Sequence, residues 1–141
     1  VTFVGDFVKG LIPVLVARTL IGPAPAVLAE VGFAAFIGAI ASIFLFFTGG
    51  RGVATSLGVW IGLAPAPILI VAAIFAVVLA LSRIVSLASL AAAVLLPPIV
   101  AATHSPSPYI LLAILMAALV VFRHRGNIGR LLSGEERRIG S

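Results

Sequence analysis

Long apolar runs broken by short clusters of Gly, Pro and charge make up most of the chain. The first extends from about Phe7 to Ile21 and stops at Gly22-Pro23-Ala24-Pro25, since proline cannot continue a helix. The second, Ala26 to Phe47, has the length that crosses a hydrocarbon layer about 30 Å thick. After the polar interruption Thr48-Gly49-Gly50-Arg51-Gly52, the stretch Val53 to Ser82 is too long for one span. Pro65-Ala66-Pro67 divides it into a short helix ending near Ala64 and a longer one from about Pro67. At 1.5 Å per residue the short piece reaches about 18 Å, so it is tilted, re-entrant or extended by its neighbours. Ile84 to Ala102 follows Arg83, with Pro97-Pro98 expected to kink it or end it early, and Tyr109 to Phe122 is the last run. The pattern predicts an all-α, polytopic transmembrane bundle of about six helices, one domain over 1–141, with a basic, polar tail at 123–141.

Composition strengthens this reading. The 141 residues are 62% hydrophobic and 9% charged, whereas a soluble domain carries about 25% charged residues. A soluble enzyme is thereby excluded. The absence of cysteine excludes disulfides and thiolate chemistry, and four acids with two histidines make a dense metal site a poor fit. No cofactor is expected. The net charge of +5 sits at the ends of apolar runs, as topology signals do, and not as a nucleic-acid footprint. With the tail inside, eight of the nine basic residues share the inner face; Arg18 alone lies outside, close to Glu30 across the turn. Reading Val53 to Ser82 as one helix gives seven of nine, so the Pro-Ala-Pro break is the stronger argument for six helices. The opening residue is not Met and no signal-peptide pattern is visible, so the chain is expected to be the downstream part of a longer protein.

In this topology several polar groups converge on one membrane face. Gly49-Gly50-Arg51-Gly52 stands before a helix, where backbone N–H groups and the helix dipole favour an anion and Arg51 can pair with phosphate; a tight turn with an anchoring arginine is the alternative. Arg83, Ser86 and Ser89 repeat every three residues, which places them on one helical face suited to phosphate or, equally, to close helix packing. His124 and Asn127 follow the last span and offer proton transfer or hydrogen bonding; a basic tail on anionic lipid is the other reading. Glu135 and Glu136 pair most simply with Arg130, Arg137 or Arg138. His104 is a loop residue, and no serine stands in a nucleophile-elbow context.

Taken in order, Gly5-Asp6-Phe7-Val8-Lys9-Gly10, Gly49-Gly50-Arg51-Gly52-Val53-Ala54-Thr55, Arg83-Ile84-Val85-Ser86-Leu87-Ala88-Ser89 and His124-Arg125-Gly126-Asn127 through Glu136 resemble the bacterial acyl-phosphate:glycerol-3-phosphate acyltransferases, the PlsY family. The resemblance runs from Gly5 to Gly140. It implies a seven-helix inner-membrane enzyme, working as a monomer with its site and C-terminus at the cytoplasmic face. Such an enzyme passes a fatty acyl group from acyl phosphate to the 1-hydroxyl of glycerol 3-phosphate. It also implies that Gly49, Gly50, Arg51 and Gly52, with Arg83, Ser86 and Ser89, hold substrate phosphate, that His124 and Asn127 position glycerol 3-phosphate, and that Glu135 is the tail acid, with Glu136 the adjacent candidate.

The sequence departs from that family in three places. The family's upstream helix, with its serine and arginine, precedes the stretch present here. The family's Gly-His-x-Phe-Pro reads Gly38-Ala39-Ile40-Ala41-Ser42, and its Lys-Gly-Gly-Lys-Gly loop reads Thr48-Gly49-Gly50-Arg51-Gly52. Two other classes fit the bare pattern: a non-catalytic relative that binds phosphate or lipid, and a small transporter subunit with a site between broken helices.

Overall fold

The computed structural model describes residues 2–22, 24–46 and 53–139. Within them all the regular secondary structure is helical: α1 (Thr2–Ile21), α2 (Pro25–Phe46), α3 (Val53–Leu63), α4 (Pro65–Ser82), α5 (Val85–Ala102), α6 (Ser107–Arg123) and α7 (Arg125–Ser133). The first six answer to the six apolar runs. The seventh lies within the stretch expected only to be a basic, polar tail. Its two glycines and low mean hydropathy hide a helix whose buried residue is Asn127. Pro97 and Pro98 do not end α5, which continues to Ala102.

Each break has a local cause. Gly22 turns with φ of 91°, a left-handed value that glycine adopts without steric cost, and α2 then starts on Pro25. Ala64 is extended before Pro65, so α3 and α4 meet in a break of one residue. Arg83 takes the left-handed conformation, φ 58°, and closes α4 by donating its backbone N–H to the Leu79 carbonyl.

The tightest packing joins α1 to α3. A Cβ on Gly10 would collide with the Thr55 carbonyl, and one on Gly58 with the Phe7 carbonyl. These glycines let two parallel backbones touch, the small-residue device of membrane helix pairs. The resulting register places Val53 near the level of Gly5 and leaves the far end of α3 short of the end of α1. With 11 residues, α3 is about 16 Å long. Its last carbonyls therefore end among apolar side chains, where they need donors. Arg18 supplies them, with Nη1 at 2.7 Å from the Gly62 oxygen and 3.1 Å from that of Leu63. This is the partner of Arg18, in place of the neighbouring Glu30 suggested by the turn. Beside that cap the core holds Val14, Leu28, Phe36, Val59 and Met116, with Trp60 edge-on to Tyr109 at 6.2 Å between ring centroids.

Candidate functional site

The antiparallel run of the helices brings the start of α3, the end of α4, the start of α5 and the α6–α7 corner to one end of the bundle. α6 and α7 meet at a bend of 60°, and His124 is the residue between them. It is 3% exposed, and its Nδ1 lies 2.8 Å from the Val120 carbonyl. A carbonyl only accepts, so Nδ1 carries a proton.

Three residues along, Asn127 is the buried residue of α7 and turns toward the start of α5, where Ser86 is also buried. Glu136 joins them. Its Oε2 accepts from the Ser86 hydroxyl at 2.5 Å and from Asn127 Nδ2 at 2.6 Å, while its Oε1 accepts from Arg130 Nε at 2.9 Å. The Ser86 hydroxyl, then Arg130, then Asn127 hold the Glu136 carboxyl down at about 2, against the smaller opposing effect of burial. The carboxylate is therefore ionised at every physiological pH.

Local backbone geometry delivers Glu136 to that position. Gly134 ends α7 with φ of 76°. Its N–H bonds to the Leu131 carbonyl, and the N–H of Glu135 bonds to that of Arg130, the paired pattern of a Schellman cap. The chain then doubles back along the bundle, and the Ile139 N–H reaches the Arg83 carbonyl at 2.7 Å. The tail is thus a strap fastened at both ends, to α7 and to the α4–α5 turn.

The expected residues separate accordingly. Ser86, His124 and Asn127 are buried at this end of the bundle. Glu135 is exposed and contributes its backbone to the cap; the acid inside the cluster is Glu136, because the reversal at Gly134 turns the second of the two side chains inward. Arg83 does not share a helical face with Ser86 and Ser89: it lies in the left-handed cap before α5 begins, is exposed, and enters the arrangement through its carbonyl. Gly49, Gly50, Arg51 and Gly52 lie outside the described residues. Among the described residues no group of three or more His, Cys, Asp or Glu gathers to hold a metal.

Beside the polar cluster an apolar cleft of about 150 Å³ opens between α3, α4 and α5. Val53 and Ser56 of α3 and Ser89 of α5 stand at its polar end, while Ile68, Val71 and Leu96 form its floor. Sequence reasoning missed Ser56 and the cleft itself, which gathers residues of α3, α4 and α5 with Val120 of α6. The buried residues of α4 are Pro67, Ile68 and Val71, all in its first two turns.

Comparison with known proteins adds the family. The glycerol-3-phosphate acyltransferase family model matches residues 1–134. The chain is 50% identical over 135 residues to the glycerol-3-phosphate acyltransferase of Geotalea daltonii, covering 96% of this chain and 69% of that protein. It is 45% identical over 137 residues to that of Geobacter sulfurreducens, covering 97% and 70%. Two crystal structures of PlsY, an integral membrane glycerol 3-phosphate acyltransferase, superpose with a TM-score of 0.89 at 38% identity over 98% of this chain. One is the glycerol 3-phosphate form and covers 69% of that chain; the other is the lysophosphatidic acid form and covers 70%. Two of the helices, α4 and α5, are each long and apolar enough to cross a bilayer unaided. An all-helical apolar bundle with this match belongs to a multi-pass membrane protein, and the chain is a member of the glycerol-3-phosphate acyltransferase (PlsY) family.

Proposed function

We propose that this chain works in transfer of a fatty acyl group from acyl phosphate to the 1-hydroxyl of glycerol 3-phosphate, forming lysophosphatidic acid and inorganic phosphate. The observation that carries this reading is adjacency: a buried donor-rich cluster of Ser86, Asn127 and His124 beside an apolar cleft at the same end of the bundle. One side suits an anionic, hydroxyl-bearing substrate and the other an alkyl chain. The start of α3, with Gly49, Gly50, Arg51 and Gly52 before it in sequence, suits a phosphate between them. Ser89, at the polar end of the cleft, completes the phosphate-binding set.

In the reaction the 1-hydroxyl oxygen forms a bond to the acyl carbon, and the bond from that carbon to the phosphate oxygen breaks. The hydroxyl proton passes to a phosphate oxygen, so the leaving group departs as inorganic phosphate. Acyl phosphate is already activated, so the protein's task is alignment and stabilisation of developing negative charge. Asn127 and His124 position the glycerol hydroxyls. Glu136 is a positioning residue that holds Ser86 and Asn127 through hydrogen bonds. The protein acts as a single chain in a bacterial inner membrane, with α7 and its arginines on the cytoplasmic side in accord with the positive-inside rule.

Steady-state kinetics in reconstituted membranes test the site. Asn127→Ala and Ser86→Ala are expected to raise the KM for glycerol 3-phosphate at least tenfold and to leave the KM for palmitoyl phosphate within about twofold, since a charged hydrogen bond contributes about 1.5–3 kcal/mol. Unchanged glycerol 3-phosphate kinetics in both variants would overturn the assignment.

A further inference from the structure

The shape of the cleft bears on which part of the acyl chain the protein reads. Its polar end and its floor are marked on α5 by Ser89 and Leu96, seven residues and so about 10 Å apart. A dry apolar cavity of similar volume holds a benzene ring, about six carbons. Both measures fall short of a complete fatty acyl chain. The cleft is also unwalled on one side. Ala72 lines it yet is exposed, Phe75 is half-buried, and no residue of α4 beyond Val71 is buried. In a membrane protein that side faces lipid. The wall on α5, by contrast, is made by Ala92 and Ala93, whose small side chains leave room for a chain against that helix.

We infer that the cleft grips only the carboxyl-proximal six to eight carbons of the acyl donor, with Ala92 and Ala93 setting its width, and that the rest of the chain leaves sideways past Ala72 and Phe75 into the bilayer. The inference rests on the acyl-transfer reading above and names what that site selects: shape near the carboxyl group, and not total chain length. Inside the cleft the donor leaves a bilayer that is already apolar, so what the walls read is close packing, and a branch that does not fit is penalised there. Beyond it a further methylene exchanges one apolar surrounding for another and contributes almost nothing.

Methyl-branched palmitoyl phosphates test this directly, because chain length and partitioning stay constant while the branch moves. With the protein in lipid vesicles and donors at a fixed mole fraction, 4-methylpalmitoyl phosphate is expected to lose at least tenfold in kcat/KM. 14-Methylpalmitoyl phosphate is expected to stay within twofold of the straight chain. Ala93→Leu should lower kcat/KM for straight-chain donors at least tenfold with the KM for glycerol 3-phosphate unchanged. Ala92→Val, a smaller intrusion, should give the same pattern more weakly if the leucine variant fails to fold. A 14-methyl penalty equal to or above the 4-methyl penalty would mean that the floor reads the chain end, and would overturn the inference while leaving acyl transfer intact. Normal turnover in both alanine variants would place the acyl chain elsewhere and overturn it too. Absence of glycerol 3-phosphate-dependent phosphate release in the wild type is a separate result, which removes the acyl-transfer reading and the inference with it.

Discussion

Removing the Glu136 carboxylate separates the two neighbouring acids and puts a magnitude on the tail strap. Two buried donors, Ser86 Oγ and Asn127 Nδ2, share its Oε2 at 2.5 and 2.6 Å. Glu136→Ala strands both, at about 1–3 kcal/mol for each buried polar group without a partner. The Arg130 pair adds little: that side chain is 45% exposed, and such surface pairs contribute under about 1 kcal/mol. The total is about 2–6 kcal/mol, released by letting Ser86 and Asn127 turn away or letting water in. If about 2 kcal/mol of it appears as lost pre-organisation, the KM for glycerol 3-phosphate rises about thirtyfold, since 1.36 kcal/mol is a factor of ten. Glu136→Gln should be intermediate, because its carbonyl still accepts one bond. Glu135→Ala should stay within twofold, because that side chain is exposed. The assay is glycerol 3-phosphate titration at saturating palmitoyl phosphate, paired with the half-life of activity at elevated temperature. If Glu135→Ala matches Glu136→Ala, or Glu136→Ala changes neither KM nor half-life, the strap reasoning is refuted.

Further outcomes follow from the same contacts. Glu136 is held at about 2, below its ordinary 4.5. Its contribution is fully present above about pH 4.5 and is lost as pH falls toward 2. Hydrogen exchange of the α7 amides, corrected for intrinsic rates, should accelerate across that window and stay flat from pH 5 to 8. Arg18→Met leaves the Gly62 and Leu63 carbonyls without their donor; it should cost about 1–3 kcal/mol for each group lost, seen as a lower unfolding temperature in detergent with substrate KM values unchanged. Gly58→Val drives side-chain carbon into the Phe7 backbone. Overpacking of that kind costs about 1–3 kcal/mol or more, and size-exclusion chromatography should show aggregated protein where Ala34→Val, on an exposed face, stays monodisperse.

The helical breaks were legible because each is written in residues with a backbone consequence: Gly22 before Pro25, Pro65-Ala66-Pro67 and Arg83 between two apolar runs. The order of motifs likewise carried the family, and Ser86, His124 and Asn127 do meet at one end of the bundle. What stayed hidden depended on geometry that spacing does not encode. The three-residue rhythm of Arg83, Ser86 and Ser89 presumes one continuous helix, yet Arg83 is left-handed and Ile84 extended. The identity of the inward acid depends on how the chain turns at Gly134, which decides between adjacent glutamates. Helix α7 is short and polar, although Gly134 at its end and Leu131 three residues after Ile128 are the signals that would have marked it. The cleft was beyond sequence reasoning because residues from four separate helices line it.

Product stoichiometry is the most direct test of acyl transfer by this chain. With the chain reconstituted in lipid and supplied with palmitoyl phosphate and labelled glycerol 3-phosphate, lysophosphatidic acid and inorganic phosphate should appear one for one, with both falling together in Asn127→Ala. Phosphate release that ignores glycerol 3-phosphate, or labelled lipid formed equally well by Asn127→Ala, would contradict it.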